Sequence, residues 1–472
     1  MIKHARLLAL AAALTAGPAC TMSGDDAKEA QLTAAQCSAA VPWATSTAYA
    51  VGAVVTFGGA TFQCLQAHTS QSDWTPAVVP ALWSATTCAG GGGGTGGGGT
   101  GGGGTGGGGT GGGGTGGGGT GGGGTGGGGT GGGGTGGGGT GTPPAGLVFS
   151  AYKDTGINMN WNTNVISTTV SGSATDLASD LTANGSKTIT LAFATGECGS
   201  ENWGGVPGAA MAAANVPRFT AAGINYVLST GGAAGSFTCG SDAGFATFLD
   251  RWASPNLIGV DLDIEAGQSQ AVIGDLIKRI QTAHAAHPGL RFSLTLATLA
   301  NNSGASTAQS LGTGVPDSFN VFGDMTLAAV RTTLGFTGTA ATWPSYVTVN
   351  LMTMDFGSAS PGVCVVSGGI CDMGQSAIQA AFNLRDRFGV PFSNIELTPM
   401  IGGNDVSSEH FTLANTDTMT SFAIANHLAG VHYWSYDRDT DCAQGFASPT
   451  CNSLGGVGAH GFLRRFLADG LR

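Results

Sequence analysis

A pentad of four glycines and one threonine repeats without interruption from Gly91 to Thr140, and Thr142-Pro143-Pro144 closes the run. Such a tract has no side chains to bury and much backbone freedom to lose, so it cannot join a core. It reads as a flexible linker and forces the chain to fold in separate pieces. Its r.m.s. span is on the order of 40 Å by the scaling of roughly 5–6 Å times √n. GxGxxG occurs trivially inside it, with no strand before and no helix after, so it carries no nucleotide-binding signal. The divisions that follow are a leader at 1–19, a small region at 37–88, the linker at 89–145 and a large region at 146–472.

The leader has the form of a secretory signal. Lys3, His4 and Arg6 make a basic start, Leu7 to Ala16 an apolar stretch, and Gly17-Pro18-Ala19 a small-residue cleavage site. Release from the cell is the expected outcome. Cys20 directly follows the cut, where a lipoprotein would carry its anchor, but Gly17 stands where such sites favour an aliphatic residue. The formal net charge is -11 and only 10% of residues are charged. Nucleic acid and anionic membrane surfaces need clustered Lys and Arg, so both are excluded as partners, while neutral polymers remain.

Nine further cysteines follow Cys20, with neither CxxC pairs nor Cys/His clusters, so no metal site is expected. In an oxidising compartment sequence neighbours pair naturally. The expected disulfides are Cys198–Cys239, Cys364–Cys371 and Cys442–Cys451, with Cys37–Cys88 closing the small region.

Short β-rich runs alternate with helical stretches through the large region. The strand candidates are Leu147–Tyr152, Thr188–Ala194, Asn225–Ser229, Leu257–Ile264, Arg291–Ala297, Tyr346–Met352, Ile395–Pro399 and Gly430–Ser435. One intervening helix runs from Ala271 to Ala286, with Val272, Leu276, Ile277 and Ile280 on one face and Pro288-Gly289 beyond its end. Another spans Gln375–Phe388. Strands separated by helices in this number fit an α/β fold, a (β/α)₈ TIM barrel, with a doubly wound open sheet as the alternative.

The segment Leu257-Ile258-Gly259-Val260-Asp261-Leu262-Asp263-Ile264-Glu265 carries the chemistry. Side chains alternate along a strand, so Asp261, Asp263 and Glu265 share one face and Val260, Leu262 and Ile264 the other. In a barrel the acids line the interior, with Glu265 nearest the C-terminal mouth where barrel active sites lie. Crowding and burial raise the pKa of at least one of them, which is what a general acid requires. A solvated acidic edge strand would rarely have so apolar an opposite face, and a calcium loop would need further Asp, Asn or Gly nearby.

This stretch resembles the DxxDxDxE signature of family 18 glycoside hydrolases, the chitinases and their relatives, with Ile258 at its first acidic position. Ser229-Thr230-Gly231-Gly232 resembles the family's SxGG motif, and Met352-Thr353-Met354-Asp355 its MxYD motif with Met354 in place of tyrosine. In Gly430-Val431-His432-Tyr433-Trp434-Ser435-Tyr436-Asp437, Trp434 resembles the tryptophan that floors the cleavage subsite. The resemblance implies hydrolysis of β-1,4 N-acetylglucosamine linkages in chitin and chito-oligosaccharides with retention of configuration and no cofactor. Glu265 would donate the proton, Asp263 would orient the substrate's acetamido group, and Asp261 would share a proton with Asp263. Asp355, Met352 and Trp434 are the expected substrate contacts. Ser229 either contacts substrate or eases a tight turn, and Tyr152 either lines the cleft or packs. The role of the missing tyrosine falls to Asp355 or to another tyrosine such as Tyr436.

In the small region Trp43, Tyr49, Gly52, Val55, Phe62, Trp74 and Trp83 resemble, in order and spacing, the chitin-binding modules of families 5 and 12. An all-β module is implied, with Trp43, Tyr49 and Trp83 in its core. Trp74, in a polar loop, is the main candidate for the binding face and His68 the second. A domain this small cannot bury every ring, and exposed rings stack on sugars. Two other functions share the barrel signature: an endo-β-N-acetylglucosaminidase and a non-catalytic chitin-binding lectin. The added module speaks against the first and the presence of Glu265 against the second. The protein is expected to act as a monomer.

Overall fold

The computed structural model describes residues 40–45, 47–50, 52–64, 68–70, 76, 83–86, 146–265, 267–303, 318–442 and 447–472. The chain divides into two compact units, Met1–Thr120 and Gly121–Arg472.

In the first unit Val41–Pro42, Val54–Phe57, Ala60–Cys64 and Trp83–Thr86 form one four-stranded sheet in that order. Gly58 and Gly59, at φ 59° and 82°, make the two-residue hairpin between the middle strands. Only residues tolerant of positive φ fit such a turn, because its twist must match that of the strands. Ala48–Tyr49 pairs separately with His68–Thr69. Tyr49, Val55, Phe62, Cys64 and Trp83 are the core, with Trp43, Ala53 and Phe57 packed against it. The Tyr49 and Trp83 rings meet edge to face at 5.0 Å. Trp43, Tyr49 and Trp83 thus pack as the sequence suggested.

The second unit is a closed parallel barrel surrounded by helices. Its strands are β1 (Val148–Asp154), β2 (Thr188–Ala194), β3 (Asn225–Gly231), β4 (Leu257–Asp263), β5 (Arg291–Ala297), β6 (Val347–Met352), β7 (Ile395–Thr398) and β8 (Gly430–Trp434). The helices that follow them in turn are α1 (Leu177–Ala183), α2 (Gly208–Ala222), α3 (Asp242–Trp252), α4 (Gln270–Ala286), α5 (Val321–Leu334), α6 (Met373–Phe388), α7 (Leu413–Ala425) and α8 (Gly461–Ala468). Strand β8 pairs with β1 to close the ring. Eight strands were foreseen, and their observed ends differ by at most two residues from the sequence reading. On α4 the buried face is carried by Ile273, Leu276, Ile277 and Ile280, with Val272 only half-buried. The apolar stripe is therefore one residue out of the foreseen phase at its first turn.

Side-chain alternation sorts the barrel residues. Ile189, Leu191, Leu228, Val260, Leu262, Leu294, Leu296, Val349, Leu351 and Val431 belong to one continuous hydrophobic core with the helices. The opposite, inward face is polar: Ser150, Thr190, Ser229, Asp261, Asp263, Ser293, Thr295, Thr348, Asn350, Thr398 and His432 are all buried. Most polar groups buried in this way are hydrogen-bonded to one another. Low in the lumen, Ser150 Oγ meets His432 Nδ1 at 2.7 Å, and His432 Nε2 meets Glu396 Oε2 at 2.8 Å. Arg291 completes this group with Nη1 3.3 Å from Glu396 Oε1, and its charge, with the His432 hydrogen bond, overcomes burial to hold Glu396 down at about 2.

Disulfides Cys198–Cys239, Cys364–Cys371 and Cys442–Cys451 are formed as expected, each in the loops that follow barrel strands. Cys20, Cys37 and Cys88 lie outside the described residues. Among the described residues no helix is long and apolar enough to cross a membrane.

Candidate active site

Strand register decides what surrounds the acids. Asp261 lies opposite Ser229 on β3 and Ser293 on β5, and Asp263 lies opposite Gly231 and Thr295. Hydroxyl side chains therefore converge on Asp261. Ser229 Oγ donates to its Oδ2 at 2.6 Å, and Ser293 Oγ and Thr295 Oγ1 donate to Oδ1 at 2.7 and 2.6 Å. Tyr152 OH adds a bond to Oδ2 at 3.0 Å while accepting from Asn350 Nδ2 at 2.8 Å. Burial raises the Asp261 carboxyl, and these hydroxyls counter it.

One step nearer the mouth the surroundings change. Asp263 has a glycine on one side, and Thr295 on the other turns its hydroxyl down to Asp261. Asp263 is 5% exposed, and among the described residues its Oδ1 meets no hydrogen-bond donor. Burial first, then the neighbouring Glu265 and Asp261, push its carboxyl well above the usual range. A proton or an incoming N–H is what such an atom lacks.

Glu265 stands two residues further on, half-buried at the end of β4. Burial pushes it up to about 7, the Ala233 amide opposes this, and Asp355 adds to it. The turn bringing Ala233 there is the SxGG segment. Gly231 and Gly232 have φ of 92° and 81°, and Gly232 N donates to Asp263 O at 3.2 Å. A Cβ on Gly231 would lie 2.2 Å from Asp263 O. Gly231→Ala therefore cannot be accommodated without moving the end of β4. We expect it to cost about 2–4 kcal/mol, the sum of an unfavourable φ and overpacking. Urea denaturation reads this directly, and an unchanged midpoint would contradict the close approach.

The cleft floor is aromatic. Trp434, the last residue of β8, stacks on Phe193 of β2 with centroids 5.6 Å apart at 22° and lies 6.2 Å from Tyr152. Met352 ends β6 half-buried. Beyond it Asp355 adopts φ 50° and accepts from Val406 N at 3.0 Å. Burial and Asp405 push Asp355 up to about 6, against the Val406 and Asp405 amides and Arg438. On the same face Trp161, in the loop after β1, is 57% exposed.

The residues singled out from sequence thus divide. Asp261, Asp263 and Glu265 form a ladder up the lumen, and Trp434, Met352 and Asp355 stand around its mouth. Ser229 and Tyr152 lie beneath the cleft, 0% and 3% exposed, and bond Asp261. Tyr436 does not reach the site: it is fully buried and donates to Asp180 Oδ2 at 2.6 Å. It cannot replace the tyrosine missing at Met354, because its hydroxyl is already spent. Trp74 and the side chain of His68 lie outside the described residues. Sequence reading passed over Ser293, which strand register places beside Asp261, and also Thr295, opposite Asp263, and Asn350, opposite Thr295, whose side chains join the same network. It also missed Phe193, visible only as an aromatic near the end of a strand candidate.

Residues 42–84 match the carbohydrate-binding module family 5/12. Streptogrisin-C of Streptomyces griseus is 73% identical over 41 residues, 9% of this chain and 9% of its own length. Chitinase A1 of Niallia circulans is 54% identical over 41 residues, 9% of this chain and 6% of its own. The chain thus matches only a small part of these relatives. Among solved structures, the catalytic domain of a hyperthermophilic chitinase from Pyrococcus furiosus superposes with a TM-score of 0.50 at 21% identity. It covers 70% of this chain and 99% of that domain. The second unit therefore shares its fold with a chitinase catalytic domain, and the first contains a segment similar to family 5/12 carbohydrate-binding modules.

Proposed function

We propose that this chain is a family 18 chitinase, hydrolysing the β-1,4 bonds between N-acetylglucosamine units. The observation that carries this is the ladder of acids on β4, with Glu265 at the mouth and, just below it, an Asp263 oxygen that meets no donor among the described residues. Glu265 gives its proton to the glycosidic oxygen. The substrate's 2-acetamido oxygen attacks the anomeric carbon from the opposite side and closes an oxazolinium ring as the bond to the leaving sugar breaks. Asp263 accepts the acetamido N–H and carries the compensating negative charge. Water then opens the ring with Glu265 as base, so configuration is retained. Trp434 and Phe193 offer the apolar face on which the sugar ring rests. Product analysis on colloidal chitin and chito-oligosaccharides tests the reading, and absence of cleavage by the wild-type chain rejects it.

The same proposal assigns residues 37–88 to chitin binding, the linker to tethering and the leader to export. A flexible tether raises the local concentration of the barrel at a surface without touching the bond being cut. Removal of residues 21–90 is expected to leave turnover of soluble oligomers unchanged and to lower activity on crystalline chitin about tenfold, a small part of the range tethering can supply. Equal rates on the crystalline polymer would discard the tether.

A further inference from the structure

Glu409 is 1% exposed and spends both carboxylate oxygens on backbone. Oε2 accepts from Phe356 N at 3.0 Å and Oε1 from Gly357 N at 2.9 Å. These amides directly follow Asp355, whose φ of 50° is the left-handed region. A residue with a side chain is strained there, so something outside the turn must maintain it. The loop after β7 supplies it from three places. Besides Glu409, Val406 N donates to Asp355 Oδ1 at 3.0 Å and Asn404 Oδ1 faces Asp355 N at 3.4 Å. The loop is itself braced, with Asn404 N bonded to Glu409 O at 3.0 Å and Glu409 N to Val406 O at 2.8 Å. Asn404 Nδ2 further donates to Met400 O and Gly402 O at 2.9 and 3.1 Å.

We propose that Glu409 is a positioning residue, clamping Asp355 in place beside Glu265 through the backbone amides of Phe356 and Gly357. Its relevance to turnover rests on the chitinase reading; the clamp itself does not. The charged groups facing Asp355 are Glu265 from β4, Asp405 and Glu409 from the loop after β7, and Arg438 from the turn after β8. Arg438 is largely committed elsewhere, its guanidinium donating to the carbonyls of Ile401, Gly403 and Ser448. Glu409 and Asp355 are thus held as neighbouring acids by amides and with little cationic relief. Burial and the charge of Asp355 bring Glu409 to about 7 against the pull of the Phe356, Gly357 and Asp355 amides.

The test begins with the wild-type full chain in solution, without substrate. The amide resonances of Phe356 and Gly357 should move together with pH, with a midpoint near 7, as Glu409 ionises. In Glu409→Gln the Asp355 carboxyl carbon should titrate at lower pH than in wild type, because a like charge has been removed. On soluble chito-oligosaccharides that variant should lose about tenfold in kcat/KM, as expected when a substrate contact is misplaced. Amides that ignore pH in the wild type, or an Asp355 titration that is the same in both proteins, would overturn the clamp. Should Glu409→Gln fail to fold, the wild-type amide titration decides alone. Failure of the wild type to cleave chito-oligosaccharides would reject the chitinase reading and leave the clamp to be judged by resonance data.

Discussion

Glu265→Gln should fold, bind chito-oligosaccharide and fail to cleave it. The two side chains are nearly isosteric, so what is removed is the proton needed by the leaving oxygen. General acid catalysis contributes about 10²–10⁴-fold, and kcat is expected to fall by at least that much. The pH dependence has the same origin. Burial holds Glu265 at about 7 in place of its ordinary 4.5. At pH 7 roughly half of the enzyme then carries the proton, whereas at an ordinary value only about 0.3% would, a gain on the order of a hundredfold. The acid must be protonated to act, so the rate should fall as pH rises through about 7. Steady-state rates across pH 4–10, beside the Gln variant, check both statements. Wild-type-like turnover by Glu265→Gln would mean that another acid supplies the proton.

Much of this site could be read before the fold was known, for a definite physical reason. A barrel strand buried on both faces has one face against helices and one toward the lumen, so a strict alternation of Val260, Leu262 and Ile264 with Asp261, Asp263 and Glu265 leaves one arrangement. What escaped reading depends on contacts between distant segments. Glu409 meets Phe356 across 53 positions of sequence, in a loop with no periodicity to betray its path. Tyr436 shows the reverse failure: it sits two residues after Trp434, where the strand has ended and alternation no longer says which way a side chain points. It turns outward to Asp180. The half-buried Val272 on α4 shows how little a helix stripe settles at its first turn, where packing by Ile273 overrode the nominal phase.

A substrate with glucosamine in place of N-acetylglucosamine at the cleavage position should not be cut. The reason lies in Asp263. Its carboxyl is pushed well above the usual range by burial and by Glu265 and Asp261, which disfavours the anion that a nucleophile would have to be. Its Oδ1 has no donor among the described residues, so an incoming N–H would satisfy it and favour its ionised form. An acetamido group provides that N–H and, on its other end, the oxygen that attacks the anomeric carbon. A free amine provides neither the carbonyl nor, when protonated, any nucleophile. If Asp263 attacked the sugar itself, loss of the acetyl group would slow cleavage only modestly. Chito-oligosaccharides of defined acetylation separate the two cases, with NMR of the fresh products giving the sequence around each cut and the anomer released. The expected result is that every new reducing end is N-acetylglucosamine in the β configuration. Efficient cleavage after a glucosamine unit, or release of the α anomer, would remove the acetamido route and the assignment of Asp263 with it.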